Sequence, residues 1–600
     1  MLTNEDLLER VAGQTVPSRF VATARDLSDH TALCWRDDAD AWHEWTFDDY
    51  LDRVARAAAA YAAHGVGHGD RIVLMLRNIP EFHVLDMAAY FVGATPVSIY
   101  NSSSPDQIEY LVNHCGAVLG VVEDLEFLER FNKVRPDMPT LATMGITSDP
   151  DGLAGPDVVT FEAMMAADPI DVDAAASVAQ PDDLATVIYT SGTTGPPKGV
   201  MLTHTNICWT VESLKETLGL TEFVGKRLVS YLPMAHIAER MTSHYQQAAL
   251  GFEVSCCPEP TQIAQYLGEV RPNVIFGVPR VWEKIYGGVT AALSADPEKA
   301  GPFNEAVETA LPIAEKLDWG TATDEERSTW EFLDQVAFST VRELVGLDQV
   351  EVAITGAAPI PAELLAWFRA VGIPLSEIYG MSESSGPMTY APNRIKPGWV
   401  GPGIVGCEVT LADDGEIVCR GGNVFVGYLN NPEATEATLI DGWLHSGDIG
   451  EVDEDGYFRI VDRKKELIIT AGGKNVSPAN LEAALKMIPL VGQACAVGDQ
   501  KPFIAALVVL DPDVAPSWAA NEGLETTDLA ELADHPRVIE EIERGLGEVM
   551  AVFNNAERVK KVKVLGEEWL PDSDLLTPTS KLKRRGVLSR YAAEIEALYS

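Results

Sequence analysis

Hydrophobic positions in the first 120 residues switch repeatedly between a helical spacing and short unbroken runs. Thr46-Phe47-Asp48-Asp49 has the form of a capping box. Leu51, Val54, Ala58 and Tyr61 then share one helical face, and Gly65 ends it. The run RIVLML at 71–76 predicts a buried strand, 81–91 a helix stopped by Gly93, and 96–100 an extended segment. Ser104-Pro105 starts a helix that reaches Gly116, and 117–122 is again a strand. Strands alternating with helices of about ten residues predict a mostly parallel α/β sheet.

The pattern changes twice. Residues 285–345 are polar and helical throughout, and predict a helical insertion on the α/β body. From about 405 to 460 short alternating strands are separated by Asp-Asp-Gly, Gly-Gly and Asp455-Gly456 turns, which predicts a β-subdomain. A helix from Pro478 and strands at 493–498 and 503–510 predict a compact α+β unit. The expected organisation is a large domain over 1–463 and a small mobile one over 464–600.

A chain of 600 residues with 90 acidic and 45 basic side chains carries a formal charge of -45. That surface repels nucleic acid and disfavours strong anchoring to anionic membranes. The eight cysteines form no C-x-x-C pair, the N-terminus lacks an apolar signal segment, and no eighteen-residue apolar run occurs. A reducing, cytoplasmic setting is expected.

The candidate chemistry begins at YTSGTTGPPKGV, residues 189–200, which follows the buried strand LATVIY. Thr190, Ser191, Thr193 and Thr194 offer hydroxyls, Gly192, Gly195 and Gly199 permit close backbone approach, and Lys198 supplies a cation. Such a loop wraps phosphates, but its spacing is not that of a Walker A motif.

This loop resembles the signature of the adenylate-forming superfamily. Five more segments fit in order: Tyr231–His236 (YLPMAH), Gly356–Pro359 (GAAP), Tyr379–Glu383 (YGMSE), Trp443–Asp448 (WLHSGD) and Asp462–Glu466 (DRKKE). A basic Lys581-Leu-Lys-Arg-Arg585 lies near the end, so the resemblance spans nearly the whole chain. It implies ATP-dependent formation of an acyl-AMP and pyrophosphate, then transfer of the acyl group to a thiol, with ATP, magnesium and coenzyme A as co-substrates and metal.

Residue by residue, the resemblance implies that Glu383 holds magnesium and that Ser382 touches the α-phosphate. Tyr379 lies along the adenine, with Gly356, Ala357 and Ala358 making room for the base and Gly380 beside it. Asp448 accepts the ribose hydroxyls, and Arg463 reaches the ribose from the domain junction. His236 borders the carboxylate pocket; it and His244 are eight residues apart, off any zinc spacing. Lys581 matches the lysine that meets the reacting carboxylate and α-phosphate. Lys583 is the alternative, because Ser580 stands where the family has glycine. Lys465 aligns with the pivot between two domain arrangements, and Gly472, Gly473 and Lys474 fall on the face that meets coenzyme A. Val278–Trp282 (VPRVW) and DRKKELIITAGGKN are similar to the long-chain fatty-acid–CoA ligase branch, in which Trp282 takes the place of a fatty-acyl gate; an ordinary core tryptophan is the competing reading. A carrier-protein acceptor, an aryl or sterol acid, and a non-catalytic nucleotide-binding module are the other readings. A fatty substrate makes weak peripheral contact with the inner membrane face an expectation.

Overall fold

The computed structural model describes residues 2–190, 196–220, 222–294, 297–470, 475–555, 557–570, 573–577 and 581–600. The first helix predicted from a cap is present: Thr46 Oγ1 accepts from the Asp49 amide at 3.2 Å while the Asp49 carboxylate accepts from the Thr46 amide at 3.2 Å. The helix Phe47–Ala63 buries Val54, Ala58 and Tyr61, as the spacing requires, and adds Phe47 and Tyr50. Ser104 caps Pro105–Cys115 in the same reciprocal way, and Gly116 closes it at φ 65° in the left-handed region.

Among the described residues the main sheet has eight strands in the order Gly386–Tyr390, Leu375–Met381, Val352–Thr355, Val274–Gly277, Arg227–Ser230, Glu253–Cys256, Thr31–Arg36, Trp42–Thr46. Its interior pairings are parallel and only the two edge pairings are antiparallel. A second sheet, Thr95–Ser98, Arg71–Met75, Leu119–Val122, Thr143–Ile146 and Val158–Thr160, is parallel throughout. Parallel strands need cover on both faces, and helices such as Pro80–Phe91 supply it; nearly every residue of that helix is buried.

The predicted β-subdomain is an antiparallel set built on Glu408–Leu411, Glu416–Arg420, Trp443–Val452 and Phe458–Arg463. The strands Val491–Val497, Ile504–Leu510 and Val559–Leu565 form a separate sheet with its own apolar core. Helices occupy 285–345 as expected, and the run starts earlier, at Pro279. No helix among the described residues is long and apolar enough to cross a membrane.

One strand was not read from the sequence. Lys198–Thr203 is a strand antiparallel to Leu184–Thr190, and Gly427–Tyr428 pairs on its other side. The run KGVMLT carries too few β-branched residues to announce a strand; its pairing with LATVIY decides the matter.

Candidate active site

Three neighbouring parallel strands, Val274–Gly277, Val352–Thr355 and Leu375–Met381, end at the same edge of the main sheet. Ligands of open α/β sheets bind beyond such carboxyl ends. Gly356, Ala357 and Ala358 follow the middle strand. Ala357 has φ 70°, a left-handed conformation that costs a non-glycine residue about 1 kcal/mol or more. A Cβ at Gly356 would lie 2.8 Å from Ile378 Cγ2, so the segment hugs the next strand.

Tyr379 and Gly380 sit at a bulge between Leu375–Met381 and Gly386–Tyr390. A Cβ on Gly380 would fall 1.8 Å from the Gly386 carbonyl oxygen, so only glycine allows the turn that follows Tyr379. Beyond it Ser382 and Glu383 form a buried 3-10 turn.

The Tyr379 hydroxyl donates to Asp448 Oδ2 at 2.6 Å. Asp448 stands opposite Arg463 in the strand register, with Arg463 Nε 3.5 Å from Oδ1. Burial raises the Asp448 pKa, and Arg463 and the tyrosine hydroxyl oppose that rise. The three residues thus make a carboxylate with an aromatic wall on one side and a cation on the other. Next to Arg463, Asp462 accepts from Ser477 Oγ at 2.7 Å and from the Ala479 amide at 3.3 Å, fastening the start of Pro478–Leu485 to the hairpin.

Lys581 comes to this group from the far end of the chain. Burial, then repulsion from Arg463, pushes its pKa down to about 8, while Asp448 and Glu383 oppose the fall. Its charge is also felt at His236, whose pKa burial drives down to about 3. Lys583 points elsewhere: its Nζ donates to the Ser573 carbonyl at 2.8 Å. Of the two lysines the sequence left open, Lys581 is near enough to feel the charges of Arg463, Asp448 and Glu383, and the Lys583 amine is bound to Ser573.

His236 caps the short helix Ile237–Glu239, its Nδ1 accepting from the Ala238 amide at 3.2 Å. That bond places the ring proton on Nε2, so a neutral imidazole presents a donor. His244 is turned away, bonded to Asp86 at 2.9 Å beside the fully buried Arg240–Asp86 pair. Among the described residues no cluster of three or more His, Cys, Asp or Glu could hold a metal ion.

Glu383 is buried, and its Oε1 accepts from the Tyr428 hydroxyl at 2.6 Å. Thr190 ends its strand opposite Lys198. Ser191, Gly192, Thr193, Thr194 and Gly195 lie outside the described residues, as do Gly472, Gly473 and Lys474. Lys465 occupies an exposed turn between Phe458–Arg463 and Ile468–Ile469. Trp282 is fully buried, donates to the Gly277 carbonyl at 3.1 Å and meets Phe368 edge-on at 5.1 Å. In this arrangement it is a core residue, and a gate at Trp282 has to swing the indole out of that nest.

The sequence did not single out Tyr428, Glu239 or Arg280. Glu239 is buried with Oε2 accepting from the Leu232 amide at 3.2 Å, and burial lifts its pKa to about 7. Arg280 pairs with Asp511, and beside it Lys284 meets Asp513 at 2.9 Å and Glu283 meets Lys486 at 3.3 Å. Only the Gly-Tyr ending of a strand-like run hinted at Tyr428; partners more than 200 residues away left no local signal for Arg280.

The strand-end loops thus gather Tyr379, Asp448, Arg463 and Glu383 at one edge of the main sheet, with Lys581 of the C-terminal part of the chain near them. The chain belongs to the AMP-binding enzyme family: the family's main model matches residues 20–429, and the model of its C-terminal domain matches 465–600. It is 35% identical over 566 residues to the long-chain-fatty-acid–CoA ligase FadD15 of Mycobacterium bovis, covering 93% of each chain. It is 43% identical over 427 residues to the putative fatty-acid–CoA ligase fadD11 of Mycobacterium tuberculosis, covering 70% of this chain and 74% of that one. Among solved structures, the A-PCP didomain of a carboxylic acid reductase from Segniliparus rugosus shares the fold at TM-score 0.76 and 19% identity, over 100% of this chain and 84% of that one. A Mycobacterium tuberculosis fatty acyl CoA synthetase superposes at TM-score 0.59 and 23% identity, over 97% and 99%.

Proposed function

We propose that this protein is an AMP-forming ligase that joins long-chain fatty acids to coenzyme A. In the first half-reaction a carboxylate oxygen attacks the α-phosphorus of ATP, the bond to the β-phosphate oxygen breaks, and pyrophosphate leaves. In the second the coenzyme A sulfur attacks the acyl carbon, its proton passes to solvent, and AMP leaves. The observation that carries this reading is the Asp448 carboxylate held at the strand ends between the Tyr379 hydroxyl and Arg463, with Lys581 near enough to feel the charges of Arg463, Asp448 and Glu383.

Two anions must approach in the first step, so cationic charge aimed at the reacting oxygens is the main requirement. Lys581 supplies it between carboxylate and α-phosphate, and the Nε2–H of His236 faces the acyl side as a neutral donor. Asp448 accepts from the ribose hydroxyls with Arg463 beside it, and Tyr379 lies against the base held by Gly356–Ala358. The loop from Thr190 to Lys198 takes the departing phosphates, and Ser382 takes the α-phosphate. Glu383 fits magnesium: it is a hard, buried oxygen donor, and a single carboxylate completed by phosphate oxygens is an ordinary shell for that ion. Magnesium supplies charge neutralisation on the phosphates when bound. Rotation about Lys465 then withdraws Lys581 and brings the 472–474 face to the thiol.

Long-chain acids partition into bilayers, so the enzyme meets its substrate at a membrane face by weak contact, which a charge of -45 makes stronger as salt rises. Co-sedimentation with phosphatidylglycerol vesicles at low and high salt tests this.

The test of the activity is AMP release from ATP with palmitate or oleate, with and without coenzyme A. Multiple turnovers that require coenzyme A are expected. Acyl-AMP accumulating in its presence would transfer the reading to a carrier-protein acceptor, and release with aryl acids alone would change the substrate class.

A further inference from the structure

Lys198 and Glu383 come from elements nearly two hundred residues apart, yet both rest on one side chain. The Lys198 ammonium lies 4.7 Å from the centroid of the Tyr428 ring, and the hydroxyl of the same ring donates to Glu383 Oε1 at 2.6 Å. Tyr428 is held from three sides. Its strand pairs with the Lys198 strand, Tyr428 against Val200 and Gly427 against Met201. The Leu429 amide bonds to the Gly199 carbonyl at 2.8 Å, and the Tyr428 amide to Thr435 Oγ1 at 2.9 Å. Phe425 packs edge-on to the ring at 4.9 Å, and its amide donates to the Glu383 carbonyl at 2.8 Å. The Tyr428 ring is buried, and Lys198 beside it is half-buried.

We infer that Tyr428 is a positioning residue that fixes the spacing between the phosphate-binding cation Lys198 and the metal-binding carboxylate Glu383. The inference rests on the reading of those two residues given above. A cation over an aromatic face is attracted to the ring, and the attraction grows when the pair is desolvated. A short hydrogen bond to a carboxylate fixes its rotamer and leaves the second oxygen for other ligands. One rigid ring therefore orients both the cation and the acid that straddle the leaving pyrophosphate.

The test is calorimetric binding of ATP to the full chain, with magnesium and with EDTA, for the parent, Tyr428→Phe and Tyr428→Leu. The phenylalanine keeps the ring and loses only the donor. It is expected to leave metal-free ATP affinity within twofold of the parent and to weaken the magnesium-dependent gain about tenfold, the size of one hydrogen bond to a charged group. The leucine is expected to weaken metal-free ATP several-fold as well, because Lys198 loses its ring. Equal weakening with and without metal in Tyr428→Phe, or none in either, overturns the inference, as does unaltered metal-free binding in Tyr428→Leu. Failure of the parent itself to gain ATP affinity from magnesium would instead overturn the assignment of Glu383.

Discussion

The Tyr379 hydroxyl donates to Asp448 across 69 residues of sequence, at 2.6 Å. In the function proposed above, the bond joins the wall against which the base would lie to the carboxylate that would receive the ribose. Asp448 is buried and its pKa is raised, so its ionised state depends on this donor and on Arg463. Asp448→Asn keeps the shape and removes the charged acceptor. AMP affinity should fall about ten- to a hundredfold, the cost of hydrogen bonds to a charged group. Tyr379→Phe should instead make AMP binding pH-dependent. Without the donor the Asp448 pKa rises further, so binding weakens at pH 6 relative to pH 8. Calorimetric titration of AMP at the two pH values decides; a pH-independent loss would mean that the hydroxyl serves only packing.

Lys581 should set an alkaline limit on the first half-reaction. Its pKa is lowered to about 8, and only the protonated amine offers charge to the two anions. ATP–pyrophosphate exchange should therefore decline as pH rises through about 8. Lys581→Arg, which keeps its charge, should shift that limb upward at a lower plateau. Lys581→Ala should abolish exchange and spare thioester formation from supplied acyl-AMP. Lys583→Ala should keep most exchange, because that amine bonds to Ser573. An unchanged alkaline limb in Lys581→Arg would assign it to another group.

The α/β alternation, the Thr46 capping box and the strands of the C-terminal unit were legible because each depends on residues close in sequence. The Thr46 box and the Gly116 stop needed only four and one positions to specify them. The strand Lys198–Thr203 was not legible, because its identity comes from partners at 184–190 and 427–428 and not from its own composition. The same reason hid Tyr428 and Arg280. Nor could Lys581 be separated from Lys583 in the sequence, because two lysines two positions apart differ only in which way each side chain turns; Lys583 turns to the Ser573 carbonyl.

An ionic clasp should favour the arrangement seen here. Arg280, Glu283 and Lys284 on Pro279–Ser294 meet Asp511, Lys486 and Asp513 of the small unit. Asp511 is buried, and the Arg280 guanidinium lowers its pKa against the opposing effect of burial, so this pair is less screened than a surface bridge. Arg280→Ala should slow the adenylation half-reaction about three- to tenfold with little effect on thioester formation, and Arg280→Asp with Asp511→Arg should restore part of it. Lys465→Pro should do the reverse, keeping acyl-AMP formation and losing thioester formation. Half-reactions measured separately by pyrophosphate release and by acyl transfer from supplied acyl-AMP make the comparison. Equal losses in both steps would remove the clasp and the pivot from the domain cycle.

Glu239 predicts a pH dependence of stability. Its carboxyl is buried beside the Leu232 amide, and burial raises its pKa from 4.5 to about 7. Between those values the folded chain holds a proton that the unfolded chain has released. Stability therefore falls as pH rises through this window and levels off above it. The full effect is at most about 4 kcal/mol, since each pH unit separating the folded and unfolded pKa values is worth about 1.4 kcal/mol. Glu239→Gln keeps an oxygen for the Leu232 amide and removes the charge. Its unfolding midpoint should exceed the parent's at pH 8, and the gap should close at pH 5. A gap of the same size at both values would show that Glu239 is ionised in the folded protein throughout, and that its charge is compensated in the core.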